Sequence, residues 1–472
     1  MGNLNWEKLL SEVKRKDLHG EKESNGTRLD RTQTERDYDR ILFASPTRRM
    51  ADKTQVFPLD INDSVRTRLT HSHEVANLAR SIGMSLAFKH SETVFGSKGE
   101  QLEVKRRVPA MLAAVGLAHD LGNPPFGHQG EKAIQSWFKG MTDNQRSYLK
   151  DPKYKHEDFT KFDGNPHTFR LLTKLQILDD DYGLNLTCGT LAALIKYPSL
   201  VSSENKGGYK KFGVFESEKE AIEEVWEQTG LKAGIRHPFA HIMEACDDIA
   251  YAVLDAEDVV KKGFASFYDL IDYLKPLMND DDEVTKWVVA RAQQKNNSFK
   301  KNEDLSSGEL NDVSMQMFRV FAISKLIESV INCFVSNIET IMSGDYLDDF
   351  HLIESSNAKE FCNRLKSFDQ KHGFSNKTVL KLELLGHNHI LKTMDMLWFA
   401  IANSDKPSYS KYAETFISHN YRRVYRSPKS KMNLDYKNCQ LLCDSISGMT
   451  DSHLIRVCDD LTPLFLNERP HI

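Results

Sequence analysis

Apolar residues return at helical spacing along much of the chain. Val75, Leu78, Ala79, Ile82 and Leu86 fall on one stripe and predict a helix through SVRTRLTHSHEVANLARSIGMSLAFKH. Ile242, Ala245, Ile249, Ala252, Val253 and Val260 do the same within HPFAHIMEACDDIAYAVLDAEDVV. The run Met111 to Ala118 is almost unbroken in its apolarity. It ends at His119-Asp120, after which Gly122, Pro124, Pro125 and Gly127 interrupt it before His128 and Glu131. That order predicts helix, turn and the start of a second helix. From about residue 266 the chain reads as helical. The apolar stretch Met317 to Met342 suits a helix buried in the body or in an oligomer interface. Trp6, Leu9, Leu10 and Val13 predict a short amphipathic helix in an N-terminal arm packed on a neighbouring surface. Residues 139–165 show no clear period and are expected to form a loop or lid, and residues 205–216 a short hairpin or loop. The expected fold is all-α, with further helices around a helical core and a few short strands or hairpins.

Composition narrows the class without naming it. A chain of 472 residues can bury a large core. Its 63 basic and 67 acidic side chains leave a net charge of −4, so global basicity does not point to duplex nucleic acid. Seven scattered cysteines with no CxxC pair argue against a disulfide framework or a structural zinc knot. Cys439 and Cys443, four apart, read as buried apolar groups. No apolar run reaches the roughly 18 residues that span a bilayer, and the first residues lack the core of a signal peptide. The expectation is a cytoplasmic protein with no membrane partner.

Candidate chemistry gathers at the interrupted helix. His119-Asp120 offers a nitrogen and an oxygen ligand side by side at a helix end, and the turn presents a second imidazole and carboxylate, His128 and Glu131, above them. This stretch predicts a metal-dependent hydrolytic centre. The acid-studded helix places Asp247, Tyr251 and Asp255 four apart, hence on one face. Lys196-Tyr197, before Pro198, suits phosphate and sugar contacts as well as an ordinary helix end. Arg40, Arg48 and Arg49 bracket an apolar turn near which a polyanion could lie. Residues 417–433 interleave five Lys or Arg with Tyr421 and Tyr425, a candidate surface for phosphate or single-stranded DNA.

His71, His119-Asp120 and Asp247 together resemble the H…HD…D ligand set of the HD superfamily. RRMADKTQVF, RTRLTHSHEV, GLAHDLGNPPFGHQGE, MEACDDIAYAVLDAED and SISGMTD resemble the signatures of its deoxyguanosine triphosphate triphosphohydrolase branch, across residues 36 to about 455. The resemblance implies cleavage of a deoxynucleoside triphosphate, most of all dGTP, to the deoxynucleoside and inorganic triphosphate, in control of dNTP pools. It implies a divalent metal, Mn²⁺ or Mg²⁺, held by His71, His119, Asp120 and Asp247, with Asp248 in reserve. His128 and Glu131 would be the catalytic pair, the carboxylate orienting the imidazole. Gln55, Val56, Lys196, Tyr197, Tyr251, Asp255, Asn165 and Arg422 would contact substrate; Asn165 sits in Gly-Asn-Pro-His where the family has Gly-Asn-Ala-Gln. The implied organisation is an arm over residues 1–35 and an HD catalytic core over 36–265 with an insertion at about 139–215. A helical region over 266–472 would complete the nucleotide pocket and the interfaces of a homo-oligomer, a hexamer by resemblance. Other readings of the same residues are an HD phosphodiesterase or 5′-nucleotidase, and a nucleotide- or single-strand-DNA-binding regulator with secondary hydrolysis.

Overall fold

The computed structural model describes all residues except 1–3, 21–29, 60–61, 63, 177–180, 205–207, 280–281, 303, 345–349, 404–407 and 469–472. The described chain is overwhelmingly helical. Its principal helices, numbered here in chain order, are α1 (Arg68–Lys89), α2 (Val104–Ala118), α3 (Gly127–Lys139), α4 (Gly164–Arg170), α5 (Cys188–Leu194) and α6 (Pro238–Lys261). They continue with α7 (Ser307–Ser336), α8 (Lys359–Asp369), α9 (Lys377–Ala402), α10 (Leu434–Ser447) and α11 (Asp451–Glu468). The helix starts are locally encoded. Thr67 caps α1 by accepting from the Thr70 amide, and α6 opens with Pro238 at its first position while His237 Nδ1 accepts from the Phe239 amide at 3.0 Å.

The short strands or hairpins expected from sequence are reduced, among the described residues, to two single antiparallel bridges, Lys14 with Thr187 and Thr54 with Thr67. Residues 208–216 are turn, irregular chain and the start of a 3₁₀ turn; 205–207 lie outside the described residues. The segment 139–165 is mostly loop, as expected, but it is packed down and not free as a lid. It forms two short helices, Asp143–Arg146 and Glu157–Thr160, and its Phe159 and Phe162 are buried. Asp158 ties it down, accepting from the Tyr436 hydroxyl at 2.6 Å and the Glu216 amide at 2.9 Å. The aromatic side chains that interrupt the helical period are the ones that anchor it.

Two apolar cores result. The first joins α1, α2, α5, α6, α7 and α8 through residues such as Val75, Leu112, Leu191, Ile249, Phe318 and Phe361. The second joins α3, α9, α10 and α11 through Ile134, Trp137, Trp398, Leu442 and Leu454, and takes in Phe159, Phe162, Cys439 and Cys443. Each fully buried Leu or Phe contributes roughly 1.5–3 kcal/mol. The arm packs onto the first core: Trp6 Nε1 donates to the Val94 carbonyl at 2.7 Å, and its ring lies against Phe95 and Phe239. All seven cysteines are free and buried. Among the described residues no helix is long and apolar enough to cross a membrane.

The interrupted stretch lies between the two cores. α2 belongs to the first, α3 to the second, and residues 119–126 bridge them. The turn is tight because Gly122 is pressed on α4, where a Cβ would run into the Thr168 amide and the Gly164 carbonyl. The SISGMTD segment fixes it from the other side. Asp451 accepts from the Phe126 amide at 3.0 Å and from the Thr54 amide at 3.0 Å, while Lys53 Nζ donates to the carbonyls of Asn123 at 2.6 Å and Ser447 at 2.8 Å. Burial lowers the Lys53 amine to about 7.

Candidate metal centre and nucleotide pocket

Three helices of the first core deliver the donor atoms. His71 sits in the first turn of α1, His119 follows the last residue of α2, and Asp247 lies on α6. Their ligand atoms all lie within 4.8 Å of one another. Asp247 Oδ1 is 3.1 Å from His71 Nε2 and 3.5 Å from His119 Nε2. His119 Nδ1–H donates to the Gly116 carbonyl at 2.7 Å, which leaves Nε2 turned to Asp247 and Asp120 and, once it gives up its proton, available as a ligand. That Nε2 is buried and has no hydrogen-bond partner. A buried imidazole nitrogen without a donor, facing carboxylate oxygens, has the chemistry of a cation site. Burial disfavours the charged imidazolium, but Asp120 and Asp247 outweigh it and lift His119 to about 9.

Asp120 stands at the margin of this group. Its Oδ2 is 3.5 Å from His119 Nε2, yet the same oxygen is paired with the Arg68 guanidinium and Oδ1 accepts from Asn123 Nδ2 at 2.7 Å. Burial opposes its ionisation, and Arg68 with His119 nonetheless hold it down at about 2. Asp248 points elsewhere, its Oδ1 accepting from Lys366 Nζ at 2.6 Å. Arg68 was not among the residues singled out from sequence. It lies three before His71, one helical turn away, and that spacing is the signal that places both on one face.

His128 and Glu131, on the first turns of α3, do not meet. His128 opens toward solvent, whereas Glu131 is buried and accepts from the Gly164 amide at 2.7 Å, at the start of α4. No hydrogen bond joins them, so the orienting contact expected from their spacing is replaced by a tie between α3 and α4. Burial, then the charge of Asp163, raise Glu131 to about 8. Desolvation and the Arg68 guanidinium keep His128 below the ordinary imidazole value. Arg68 also underlies the helix start, since a Cβ on Gly127 would meet its guanidinium at 2.8 Å.

The remaining residues distribute around this centre. Asn165 and Lys196 line a narrow cavity with His119 and Thr168. Asn165 Nδ2 donates to Asp163 at 2.6 Å, and Lys196 Nζ is 3.3 Å from Glu244. Tyr197 presents its ring to the cations of Lys196, Lys211 and Arg236 at 5.7–6.0 Å. Glu244, engaged by Lys196, Arg236 and His351, is held well below the usual carboxylate range despite its burial. Tyr251 stacks on Phe374 at 5.7 Å, and Asp255 is completely buried one turn further along α6. Gln55 Oε1 is buried without a partner and Val56 is buried beside it. Arg422 lies apart, in the helix His419–Arg426, lining a groove with Ile401, Asn403 and Asn438. In the basic segment Lys429 and Arg423 pair with Asp181, and Lys431 with Glu220. Arg40 and Arg48 donate to backbone carbonyls.

An all-α body that brings two histidines and an aspartate together from three helices, with an adjacent His-Asp pair, defines an HD-domain hydrolase, and the HD domain family model matches residues 68–162. Likeness extends well beyond that segment. The chain is 34% identical to a deoxyguanosinetriphosphate triphosphohydrolase-like protein of Listeria innocua, over 95% of this chain and 97% of the relative. It is 32% identical to one of Synechocystis sp., over 81% and 83%, and 29% identical to a deoxyguanosinetriphosphate triphosphohydrolase of Enterobacter sp. (strain 638), over 88% and 91%. The chain belongs to the deoxyguanosinetriphosphate triphosphohydrolase family.

Proposed function

We propose that the protein hydrolyses deoxynucleoside triphosphates, dGTP foremost, to the deoxynucleoside and inorganic triphosphate, in cytoplasmic control of dNTP pools. The observation that carries this reading is the buried His119 Nε2, without a hydrogen-bond partner, converging with His71 and Asp247 in a chain that matches this family over nearly its whole length. His71, His119 and Asp247, with Asp120 beside them, would hold a divalent cation, Mn²⁺ or Mg²⁺. When bound, that cation supplies Lewis-acid charge to the α-phosphate.

The other steps fall to the chain's own groups. Lys196, with Tyr197 against it, holds the β- and γ-phosphates so that triphosphate leaves whole. His128, neutral at pH 7, takes a proton from the attacking water on its imidazole nitrogen and returns it to the departing 5′-oxygen. Glu131 fixes α3 on α4 and so sets where the imidazole stands. Tyr251 packs beside the sugar and leaves no room for a ribose 2′-hydroxyl, Asp255 reads the sugar hydroxyl, and Gln55 Oε1 and Val56 face the sugar and base. Asn165, in the cavity beside His119, is a further contact, while Arg422 lines a different groove and would reach the triphosphate or base only from there. The acting form is a homo-oligomer, a hexamer by family resemblance, and single-stranded DNA is a candidate regulator.

Product analysis tests the reading. The full chain is incubated with each of the four deoxynucleoside triphosphates and Mn²⁺ or Mg²⁺, and nucleosides are resolved from nucleotides. Deoxyguanosine plus inorganic triphosphate is expected; monophosphate plus pyrophosphate would move the attack to a different bond and overturn the assignment.

A further inference from the structure

Asp255 and Asp369 are the most isolated acids in the described chain. Their relative exposures are 1% and 0%, and none of their four carboxylate oxygens has a hydrogen-bond partner. The packing of α6 on α8 sets them opposite one another. Cys362 Sγ lies 3.9 Å from the Asp248 carbonyl, a separation of 114 residues in sequence. Gly373, in the turn that continues α8, is pressed on Val259, where a Cβ would meet Cγ2 at 2.6 Å. That contact has the same offset, so the two segments run side by side in one direction, and Asp255 and Asp369 share the register. Tyr251, one turn before Asp255, stacks on Phe374, which lies past Asp369 where the chain turns away from this register.

Two charged carboxylates cannot coexist there without donors. The charges facing Asp255 are those of Asp258, Arg66, Asp247 and Arg68; Asp369 faces Asp255 and Asp258; the Tyr251 hydroxyl neighbours both. Arg66 is already engaged by Glu74, Glu257 and Asp258, and Arg68 by Asp120. Burial first, and the neighbouring acids after it, hold both carboxyls well above the usual range.

We infer that Asp255 and Asp369 form a proton-sharing carboxyl pair beside Tyr251, with Asp369 a positioning residue that keeps Asp255 able to donate to, as well as accept from, a hydroxyl of the substrate sugar. The sugar half rests on the proposed function; the shared proton does not. It follows that wild-type folding weakens as pH rises, because the folded chain retains protons that the unfolded chain releases.

The test has two arms on the full-length chain. Urea unfolding between pH 5 and 9 compares wild type with Asp369→Asn and, should that variant fold poorly, Asp255→Asn. Each neutral variant is expected to be more stable than wild type at pH 8, with a shallower loss of stability. One retained proton corresponds to a tenfold fall in the folding constant per pH unit. Equal slopes in wild type and variants would overturn the pair. The second arm follows KM against pH for dGTP and for 2′,3′-dideoxy-GTP, which lacks the hydroxyl. In wild type the dGTP KM is expected to rise on the alkaline side. In Asp369→Asn that rise moves at least one pH unit lower while the kcat profile stays in place, and the dideoxy analogue shows no such limb. An unmoved limb would overturn the positioning role. Altered unfolding slopes with no turnover of any nucleotide would uphold the shared proton and overturn both its sugar role and the nucleotide reading.

Discussion

Asp451 accepts a hydrogen bond from the amide of Phe126 at 3.0 Å, across 325 residues of chain. The same carboxylate takes the amide and hydroxyl of Thr54, so a single side chain fixes both the turn that follows His119-Asp120 and the segment carrying Gln55 and Val56. Phe126 is held there with a left-handed backbone, φ 60°, a conformation that a bulky residue adopts only under constraint.

Asp451→Ala therefore leaves buried amides without acceptors and releases that constraint. A loss of about 2 kcal/mol in urea unfolding is expected, together with a fall in turnover. Calorimetric affinity for Mn²⁺ should hold, because His71, His119 and Asp247 stand on the first core.

For His128→Ala the expectation is retained metal and nucleotide binding with turnover reduced by roughly 10²- to 10⁴-fold. Isothermal titration beside single-turnover kinetics separates the two quantities. Undiminished turnover would remove His128 from the mechanism.

Arg68→Met strips Asp120 of its counter-charge beside Asp247. The metal-free protein should lose stability, about 3 kcal/mol for a buried charge left unpaired. Because a cation answers the same carboxylates, the rise in Tm on adding Mn²⁺ should exceed that of wild type. An equal or smaller rise would show that Arg68 does not share the charge of the site.

Glu131 supplies a pH test. Its folded value of about 8 lies above that of an ordinary carboxyl, so the folded state keeps a proton that the unfolded state loses. Stability attributable to this group falls as pH rises from about 4.5 to about 8 and is level beyond. Glu131→Gln should remove one proton's worth of that slope, about 1.4 kcal/mol per pH unit, while the amide oxygen still accepts from Gly164. Unfolding at pH 5, 6.5 and 8 reads it directly.

Sequence spacing reveals local relationships and hides distant ones. The shared face of Asp247, Tyr251 and Asp255 was legible from helix periodicity, whereas His71, the His119-Asp120 pair and Asp247 stood out as a ligand set through the resemblance to the HD superfamily. The preference for Asp247 over Asp248 rests on that resemblance too, and Asp247 is the one that faces the imidazoles. The partners that define their electrostatics were not legible. Arg68 reaches Asp120, Lys366 draws off Asp248, and His351 joins Arg236 on Glu244, through packing that only the assembled helices specify. His128 and Glu131 show the opposite failure. Their spacing of three suggested a contact, but α3 turns one to solvent and the other into α4. In residues 139–165 the missing period concealed Phe159 and Phe162, whose burial comes from the second core and not from any local face.

The bridge made by residues 119–126 has a mechanical meaning. The cation donors ride on one apolar core and His128 on the other, so the distance between the group that would grip a phosphate and the group that would move a proton is the distance between two separately packed bodies. A substitution deep in the second core, at Trp398 or Leu442, would then shift His128 against the cation donors without altering a single donor atom, and Asp451 is the side chain that ties down the turn between them.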